Sequence, residues 1–332
     1  MKTFIFTCGD INGVGPEIVV KTLNKIAKSS RKKILFICPE NIFKQEVRRI
    51  RPSFKYEITN SSEIDPSIPV SVVNFNSAEQ VIGKPTRNSG LLSYDSIKIA
   101  YNISTKISEA AIITAPISKT AWSMANINYP GHTELFAELY KAKNYAMFFL
   151  SKKMNAALLT IHTPLKEVST QITSELLKNK FQLILETLNQ DFMINTPRIA
   201  VLGLNPHAGE NGLIGKEEKN IVIPFLKGFT KNKYFYGPFP SDGFFGTKQF
   251  LNYDVVVGMY HDQILNPFKL LNFNTGVNFT AGLSIVRTSP DHGTAFEIAG
   301  KGIADESSML QAFKYAERIL NNRLSNAKNI GK

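Results

Sequence analysis

The chain has 332 residues, 43% of them hydrophobic, which suits one large or two medium globular domains. Two cysteines are too few for a disulfide framework, and their apolar surroundings predict buried thiols in a reducing compartment. The net charge is +12, but the lysines are scattered and no nucleic-acid-binding signature accompanies them, so we expect no nucleic-acid partner. No signal peptide and no apolar run of about 18–20 residues is found, which predicts a cytoplasmic protein without a membrane partner.

The first strand-like run ends in GDINGVGPE, a Gly-rich turn in which Pro16 suits the first turn of a helix. Gly13 and Gly15 give the first part of a dinucleotide-binding fingerprint, but position 18 is Ile, and the sequence contains no phosphate-binding P-loop. We therefore expect neither of these two nucleotide-binding folds.

Strand-like and helix-like segments alternate along most of the chain. Short apolar runs rich in branched residues predict strands at TFIFTC, KKILFIC, AAIIT, AMFFL, MNAALLTI, RIAVLGL and YDVVVGMY. Amphipathic stretches predict helices at PEIVVKTLNKIAK, LLSYDSIKIAYNIS, SELLKNKFQLILETLNQ and ESSMLQAFKYAERILNNRL. This alternation indicates an α/β fold with mostly parallel sheets and flanking helices. The stretch KPTRNSG (84–90) is predicted to be a loop.

No change of composition divides the chain, so a second domain is expected as an insertion into the first. We predict a discontinuous first α/β domain at 1–130 plus 265–332, and a second α/β domain at 131–264 that contributes metal ligands.

All five histidines lie in unusual local sequence, and three of them follow predicted strands: His162, His207 and His261. Ligands bind at the carboxyl ends of strands in open α/β sheets, so residues distant in sequence can converge there. A single histidine at a strand end is more often a hydrogen-bonding or capping residue. Taken together, three neutral imidazoles suit zinc and similar divalent ions, and three ligands with open positions are typical of a catalytic metal.

Charged neighbours add further candidates. Asp262 directly follows His261 and could orient an imidazole or accept a proton. Asp242 lies on a Pro/Gly loop and is a turn residue or a helix cap, while Lys119 is a surface lysine at a helix start or an anion ligand. Three more side chains could bind a phosphate or carboxylate, although each alone is more often a surface residue: Lys269, Asn278 and Arg287.

A set of motifs occurs in a fixed order from about residue 5 to about residue 310: GDINGVGPE, TAPISK, YPGHTE, HTPL, GLNPHAGENG with GKEE, GPFPSD, MYHDQ, GVNFTAGL and RTSPDHGTAFEIAGKG. Together they resemble the 4-hydroxythreonine-4-phosphate dehydrogenase family of pyridoxal phosphate biosynthesis. The chain departs from the usual family pattern at Ile11 and Asn12, where Pro and Ala are common, at Ser118 in TAPISK, and at Pro290. None of these departures removes an expected ligand or substrate contact.

The resemblance implies an isocitrate/isopropylmalate dehydrogenase-like fold, and a homodimer whose shared active site is completed by residues of the partner. It also implies a divalent metal (zinc, magnesium or cobalt) and NAD or NADP. The residues that match the family's sites are, for the metal, His162, His207 and His261; for the phosphorylated amino-acid substrate, His132, Thr133, Lys269, Asn278 and Arg287; and for the cofactor, His292, Gly293, Thr294 and Glu297.

The implied reaction is oxidation of 4-phosphooxy-L-threonine by NAD(P)+ and decarboxylation to 3-amino-2-oxopropyl phosphate. Asp242, Asp262 and a water on the metal are the candidate proton acceptors. A paralogous dehydrogenase acting on a threonate or erythronate 4-phosphate would share the same metal site. A metal-dependent phosphohydrolase is a further alternative, but such sites usually add several carboxylates, which the sequence does not cluster. A non-enzymatic nucleic-acid binder is suggested only by the charge.

Overall fold

The computed structural model describes residues 1–27, 32–60, 65, 67–229 and 234–330. The chain divides into two compact units. The first combines Met1–Lys141 with Leu283–Leu324, and the second combines Ala142–Gly282 with Ser325–Lys332. The limits inferred from the sequence for the inserted second domain, 131–264, stay a prediction.

The strands of the first unit are all parallel and follow the order β3-β4-β2-β1-β5-β12. Their bounds are β1 (Lys2–Thr7), β2 (Lys32–Ile37), β3 (Tyr56–Thr59), β4 (Val70–Val73), β5 (Ala110–Ile113) and β12 (Val286–Pro290). The helices are α1 (Gly15–Ile26), α2 (Glu40–Ile50), α3 (Arg87–Ser104), α4 (Lys119–Met124), α5 (His132–Leu139) and α11 (Ser307–Ile330), the last ending in residues of the second unit.

The strands of the second unit follow the order β11-β6-β7-β10-β8-β9. β6 runs antiparallel to both of its neighbours in this unit, and the pairs from β7 to β9 are parallel. The strands are β6 (Ala146–Leu150), β7 (Ala156–Leu158), β8 (Ile199–Leu202), β9 (Phe235–Phe239), β10 (Val255–Gly258) and β11 (Val277–Ala281). The helices are α6 (Leu165–Gln171), α7 (Ser174–Gln190), α8 (Ile223–Phe229), α9 (Ser241–Gly246) and α10 (His261–Asn272).

The predicted α/β class with mostly parallel strands is confirmed. The apolar runs assigned to strands form β1, β2, β5, β6, β7, β8 and β10, and the four amphipathic stretches form α1, α3, α7 and α11. Both flanks of these strands are covered, so the strands are buried almost throughout, as continuous apolar runs predict.

The prediction that KPTRNSG is wholly a loop was wrong, because α3 begins at Arg87. Thr86 and Ser89 form a capping box, in which each side chain bonds to the backbone N–H of the other. This reciprocal pair satisfies N–H groups that the first helical turn leaves free, so a Ser/Asn/Gly-rich sequence can start a helix. Pro16 takes its expected place at the start of α1.

Each unit has its own apolar core. In the first unit, the rings of Phe4 and Phe6 on β1 pack against Phe313 of α11, with centroids 4.9 and 6.1 Å apart. In the second, side chains from β6, β7, β8 and β10 pack with Ile264 and Phe268 of α10. This packing holds the strands in place, and the predicted site residues lie at the ends of those strands. In the part of the chain that the structure describes, no helix is both long and apolar enough to cross a membrane.

Candidate active-site groups in the two units

One predicted substrate-binding residue of the first unit is a buried cation. Arg287, on β12, is only 1% exposed. Its Nη2 and Nε donate to Thr114 Oγ1 at 2.6 and 3.2 Å, and its guanidinium carbon lies 5.6 Å from the ring centroid of Phe136. Burial lowers the pKa of Arg287 to about 9, against the opposite influence of the Glu134 carboxylate. Such a desolvated, oriented guanidinium is suited to bind an anion.

His132 is held beside this cation by aromatic packing. It is the first residue of α5, and its ring centroid lies 6.0 Å from that of Trp122 and 6.4 Å from that of Phe136. Its Nε2 is buried and has no hydrogen-bond partner among the described residues. Burial, and then the charges of Arg287 and Lys119, lower the pKa of His132 well below its ordinary value. The imidazole is therefore neutral at pH 7 and can offer one hydrogen bond to a ligand.

Two other residues frame the same region of the first unit. Thr133, the second residue of α5, is buried, whereas Lys119, the first residue of α4, is exposed. Backbone N–H groups at the start of α5 add to the positive character of these side chains. The arrangement fits a phosphate or carboxylate group better than a neutral ligand.

The loop predicted to bind the cofactor packs on the N-terminal glycine-rich turn, within the first unit. The backbone N–H of Val14 donates to the carbonyl of Thr294 at 2.9 Å. A Cβ atom at Gly13 would lie only 2.6 Å from that same carbonyl oxygen, so this close approach requires glycine. The glycine that resembled a fingerprint residue therefore serves contact between two loops.

The same loop leaves several groups accessible. Glu297 is exposed, and a Cβ built on Gly293 would meet nothing within 4 Å. His292 is partly buried, and its Nδ1 lies 2.9 Å from the carbonyl oxygen of Gly293. A carboxylate that can accept from ribose hydroxyls, beside open backbone, is a donor and acceptor set that fits a nucleotide.

The expected metal ligands of the second unit follow the carboxyl-terminal ends of three parallel strands. The chain continues from β7 to His162, from β8 to His207, and from β10 directly into α10 at His261. β10 lies between β7 and β8. The rings of His162 and His261 have centroids 6.3 Å apart and planes inclined at 36°. Two of the three predicted imidazoles are thus neighbours.

The carboxylate that follows His261 orients that imidazole. Asp262 Oδ1 lies 2.6 Å from His261 Nδ1, with side chains 70% and 43% exposed respectively. This hydrogen bond leaves Nε2 of His261 available to a metal, the arrangement by which metal-binding histidines are commonly oriented.

Within the part of the chain that the structure describes, no three His, Cys, Asp or Glu side chains are placed so that they could hold one metal ion. Two neighbouring imidazoles, one of them oriented by a carboxylate, fit a divalent ion in their chemistry. His207 is exposed in the turn Pro206–Gly212 and lines a pocket of about 570 Å³ together with Ala208, Glu210, Lys219 and Pro238.

Two buried polar side chains link the three histidine-bearing strand ends, and the sequence analysis missed them. Thr160 Oγ1 donates to the carbonyl of Met259 at 2.7 Å. Gln263 accepts from the backbone N–H of Met259 at 2.7 Å and donates to the carbonyl of Gly203 at 2.6 Å. The sequence did contain a sign of this role, because the glutamine of the MYHDQ motif has no function in metal binding by the histidines.

The remaining predicted residues occupy separate places in the second unit. Lys269 is exposed in the last turn of α10, and Asn278 is partly buried on β11. Asp242 is exposed in the first turn of α9, where Pro240 occupies the capping position.

Comparison with known proteins gives concordant results. The family model for "Pyridoxal phosphate biosynthetic protein PdxA" matches residues 29–316. A 4-hydroxythreonine-4-phosphate dehydrogenase from Prosthecochloris aestuarii is 40% identical over 98% of this chain and 99% of its own length. A D-threonate 4-phosphate dehydrogenase from Salmonella typhimurium is 37% identical over 96% and 99%. The crystal structure of a 4-hydroxythreonine-4-phosphate dehydrogenase from Klebsiella pneumoniae has 36% identity and a TM-score of 0.79, covering 96% of this chain and 98% of that one.

Proposed function

This chain belongs to the pyridoxal phosphate biosynthetic protein PdxA family, and we propose that it oxidises 4-phosphooxy-L-threonine with NAD+ or NADP+ and decarboxylates the product to 3-amino-2-oxopropyl phosphate. The family resemblance inferred from the ordered motifs is confirmed. The observation that carries the proposal is the 40% identity with a 4-hydroxythreonine-4-phosphate dehydrogenase over nearly the full length of both chains.

The first unit supplies groups suited to the phosphorylated end of this substrate. We assign the phosphate to His132 and Thr133 at the start of α5, and further anionic charge of the substrate to Arg287. The family resemblance also implies substrate contacts at Lys269 and Asn278, which belong to the second unit. The low pKa of His132 supports this role, because a neutral imidazole donates one hydrogen bond and adds no cation beside Arg287. Burial of Arg287 strengthens its attraction for an anion, since the low local dielectric reduces screening.

The second unit supplies the ligands for a divalent cation, which we assign to His162, His207 and His261. When bound, zinc, magnesium or cobalt would act as a Lewis acid that polarises the substrate's hydroxyl and ketone oxygens. Asp262 holds His261 in the tautomer that presents Nε2. The pairing of His162 with His261 supports this assignment.

The cofactor is assigned to the loop that bears His292, Gly293, Thr294 and Glu297. When bound there, NAD+ or NADP+ would accept the C3 hydrogen of the substrate as hydride. Among this chain's own residues, Asp242 and Asp262 are the candidates to accept the hydroxyl proton. The resulting β-keto acid loses CO2, and the electron pair released from the carbon–carbon bond takes up a proton at carbon.

We further propose that the protein acts as a homodimer in which a second copy completes the catalytic site. Within one chain, the described residues bring together two of the three expected imidazoles and form no three-residue metal group. The family resemblance implies an active site that residues of the partner complete. Light scattering coupled to gel filtration is expected to give twice the mass of the 332-residue chain.

D-threonate 4-phosphate is a second candidate substrate, and one specific observation favours it. The Salmonella typhimurium enzyme named for that substrate is 37% identical to this chain, close to the 40% of the Prosthecochloris relative. The two substrates share the phosphate and the secondary hydroxyl and differ in an amino or hydroxyl group, so similarity at this level does not separate them.

The decisive experiment offers both substrates to the purified full chain with NAD+ or NADP+ and a series of divalent metals. Absorbance at 340 nm should rise with 4-phosphooxy-L-threonine, and EDTA should stop the reaction. His207→Ala should remove bound metal and turnover while leaving the circular dichroism spectrum unchanged. Phosphate release without a change at 340 nm would contradict the proposal in favour of a phosphohydrolase, and turnover of D-threonate 4-phosphate alone would move the assignment to the second candidate.

A further inference from the structure

The turn that carries His207 has an unusual backbone. His207, Ala208, Glu210 and Asn211 have φ values of 52°, 51°, 41° and 58°, and Gly209 between them has φ 82°. Residues with a Cβ atom visit this left-handed region as single residues, because Cβ crowds the following carbonyl. A run that includes four such residues persists only when its surroundings determine its shape.

One buried carboxylate provides those surroundings. Glu218 is 1% exposed. Its Oε1 accepts from the backbone N–H of Asn205 at 2.7 Å, and its Oε2 accepts from Asn205 Nδ2 at 2.9 Å. Asn205 immediately precedes the turn, and its carbonyl accepts from the N–H of Ala208 at 3.1 Å. The carboxylate thus fixes the residue from which the left-handed run starts.

Two glycines make room for this carboxylate inside the turn. A Cβ at Gly209 would lie 2.7 Å from Glu218 Oε2, and a Cβ at Gly203 would lie 3.2 Å from Glu218 Oε1. Glu218 therefore fills the space that the turn encloses. An apolar side chain could fill the same space, but it would leave the backbone N–H of Asn205 without its acceptor, and Asn205 Nδ2 would keep only its bond to Glu217 Oε2 at 2.8 Å.

We propose that Glu218 is a positioning residue for His207. Through Asn205 it holds the left-handed turn that presents the imidazole to the pocket lined by His207, Glu210 and Lys219. This inference rests on the proposed function, in which His207 binds the divalent cation. It assigns a role to the second glutamate of GKEE, which neither the substrate nor the metal chemistry required.

The test is a titration of the metal-free full chain with Co²⁺, followed by visible absorption. Glu218→Ala is expected to raise the dissociation constant for Co²⁺ about 10- to 100-fold, the range typical of residues that orient metal ligands. Glu218→Gln keeps one acceptor oxygen and should give a smaller rise. Glu186→Gln, a matched change at an exposed glutamate of α7, should bind Co²⁺ like the wild type. Thermal unfolding of each metal-free variant verifies that it is folded.

A rescue experiment separates positioning from a general structural role. Glycine adopts positive φ without crowding, so Ala208→Gly with Asn211→Gly in the Glu218→Ala background should recover several-fold of the lost Co²⁺ affinity. Folded Glu218 variants whose Co²⁺ affinity stays within twofold of the wild type would overturn the inference while leaving the metal assignment intact. A rescue variant without recovery would also overturn it. Absence of Co²⁺ binding by the wild type would overturn the metal assignment, and this inference with it.

Discussion

The two units hold their polar groups in opposite ways. In the first, Arg287 is buried, and Thr114 and the aromatic ring of Phe136 fix its guanidinium. In the second, His261 is 43% exposed and pairs with an exposed carboxylate, while His207 is exposed in a left-handed turn. The buried cation is fixed by direct contacts of its guanidinium, whereas each exposed imidazole depends on one carboxylate: Asp262 for His261 and, in our proposal, Glu218 for His207. Burial accordingly lowers the pKa values of both Arg287 and His132.

The largest expected effect comes from removing the buried cation. Arg287→Met should lower kcat/KM for 4-phosphooxy-L-threonine by roughly 10²–10³-fold, because a desolvated, preorganised charge would be lost. Arg287→Lys keeps the charge but loses the planar fork, and should recover only part of the activity. Lys119→Met, at an exposed position, should cost less than about tenfold. A folded Arg287→Met protein with nearly wild-type kcat/KM would show that the buried guanidinium contributes no more to catalysis than the exposed Lys119.

The second effect concerns the links between the strand ends of the second unit. Gln263→Leu should lower the free energy of unfolding by roughly 2–3 kcal/mol, because Met259 N–H and the Gly203 carbonyl would lose their buried partner. Urea denaturation measures this change. Gln182→Leu on the exposed face of α7 is the control, with an expected change within about 0.5 kcal/mol. Equal effects of the two substitutions would show that the hydrogen bonds of Gln263 do not contribute to stability.

A smaller effect is expected at the exposed pair. Asp262→Ala should weaken binding of Zn²⁺ about tenfold, at the low end of the usual range for groups that orient metal ligands, since this carboxylate is 70% exposed. Competition with a chromophoric chelator gives the dissociation constant. Glu175→Gln, at an exposed glutamate of α7, should leave it unchanged. Unchanged Zn²⁺ affinity in Asp262→Ala would mean that His261 is oriented without this hydrogen bond.

The smallest expected effect is a pH dependence of stability. Because the pKa of His132 is lowered in the folded protein, below about pH 6.5 the unfolded chain takes up a proton that the folded protein does not. The free energy of unfolding should therefore fall as pH decreases below about 6.5, by at most about 1.4 kcal/mol per pH unit from this residue, with no contribution above it. His132→Asn should make the slope between pH 5 and 6.5 shallower in urea titrations. Identical slopes would indicate that His132 is protonated in the folded protein.

Local sequence was sufficient for much of the fold. Continuous apolar runs such as KKILFI became buried parallel strands, and amphipathic stretches became helices, because burial and periodicity are local signals. β11 and β12 were not predicted, since VNFTA and VRTSP mix polar with apolar residues. Their character as strands depends on neighbours distant in sequence. The start of α3 was missed because a capping box depends on side-chain hydrogen bonds rather than on hydrophobic pattern.

For the candidate site, the sequence alone determined which residue types follow which strands: histidines after β7, β8 and β10, and an arginine within VRTSP. Tertiary structure alone decided that Arg287 is buried against Thr114, that His132 Nε2 is enclosed, and that Gln263 and Glu218 hold the loops around them. The physical reason is that burial and hydrogen-bond partnership depend on segments far apart in the chain. A strand end can be recognised from its own residues, but the partner that satisfies a buried polar atom cannot.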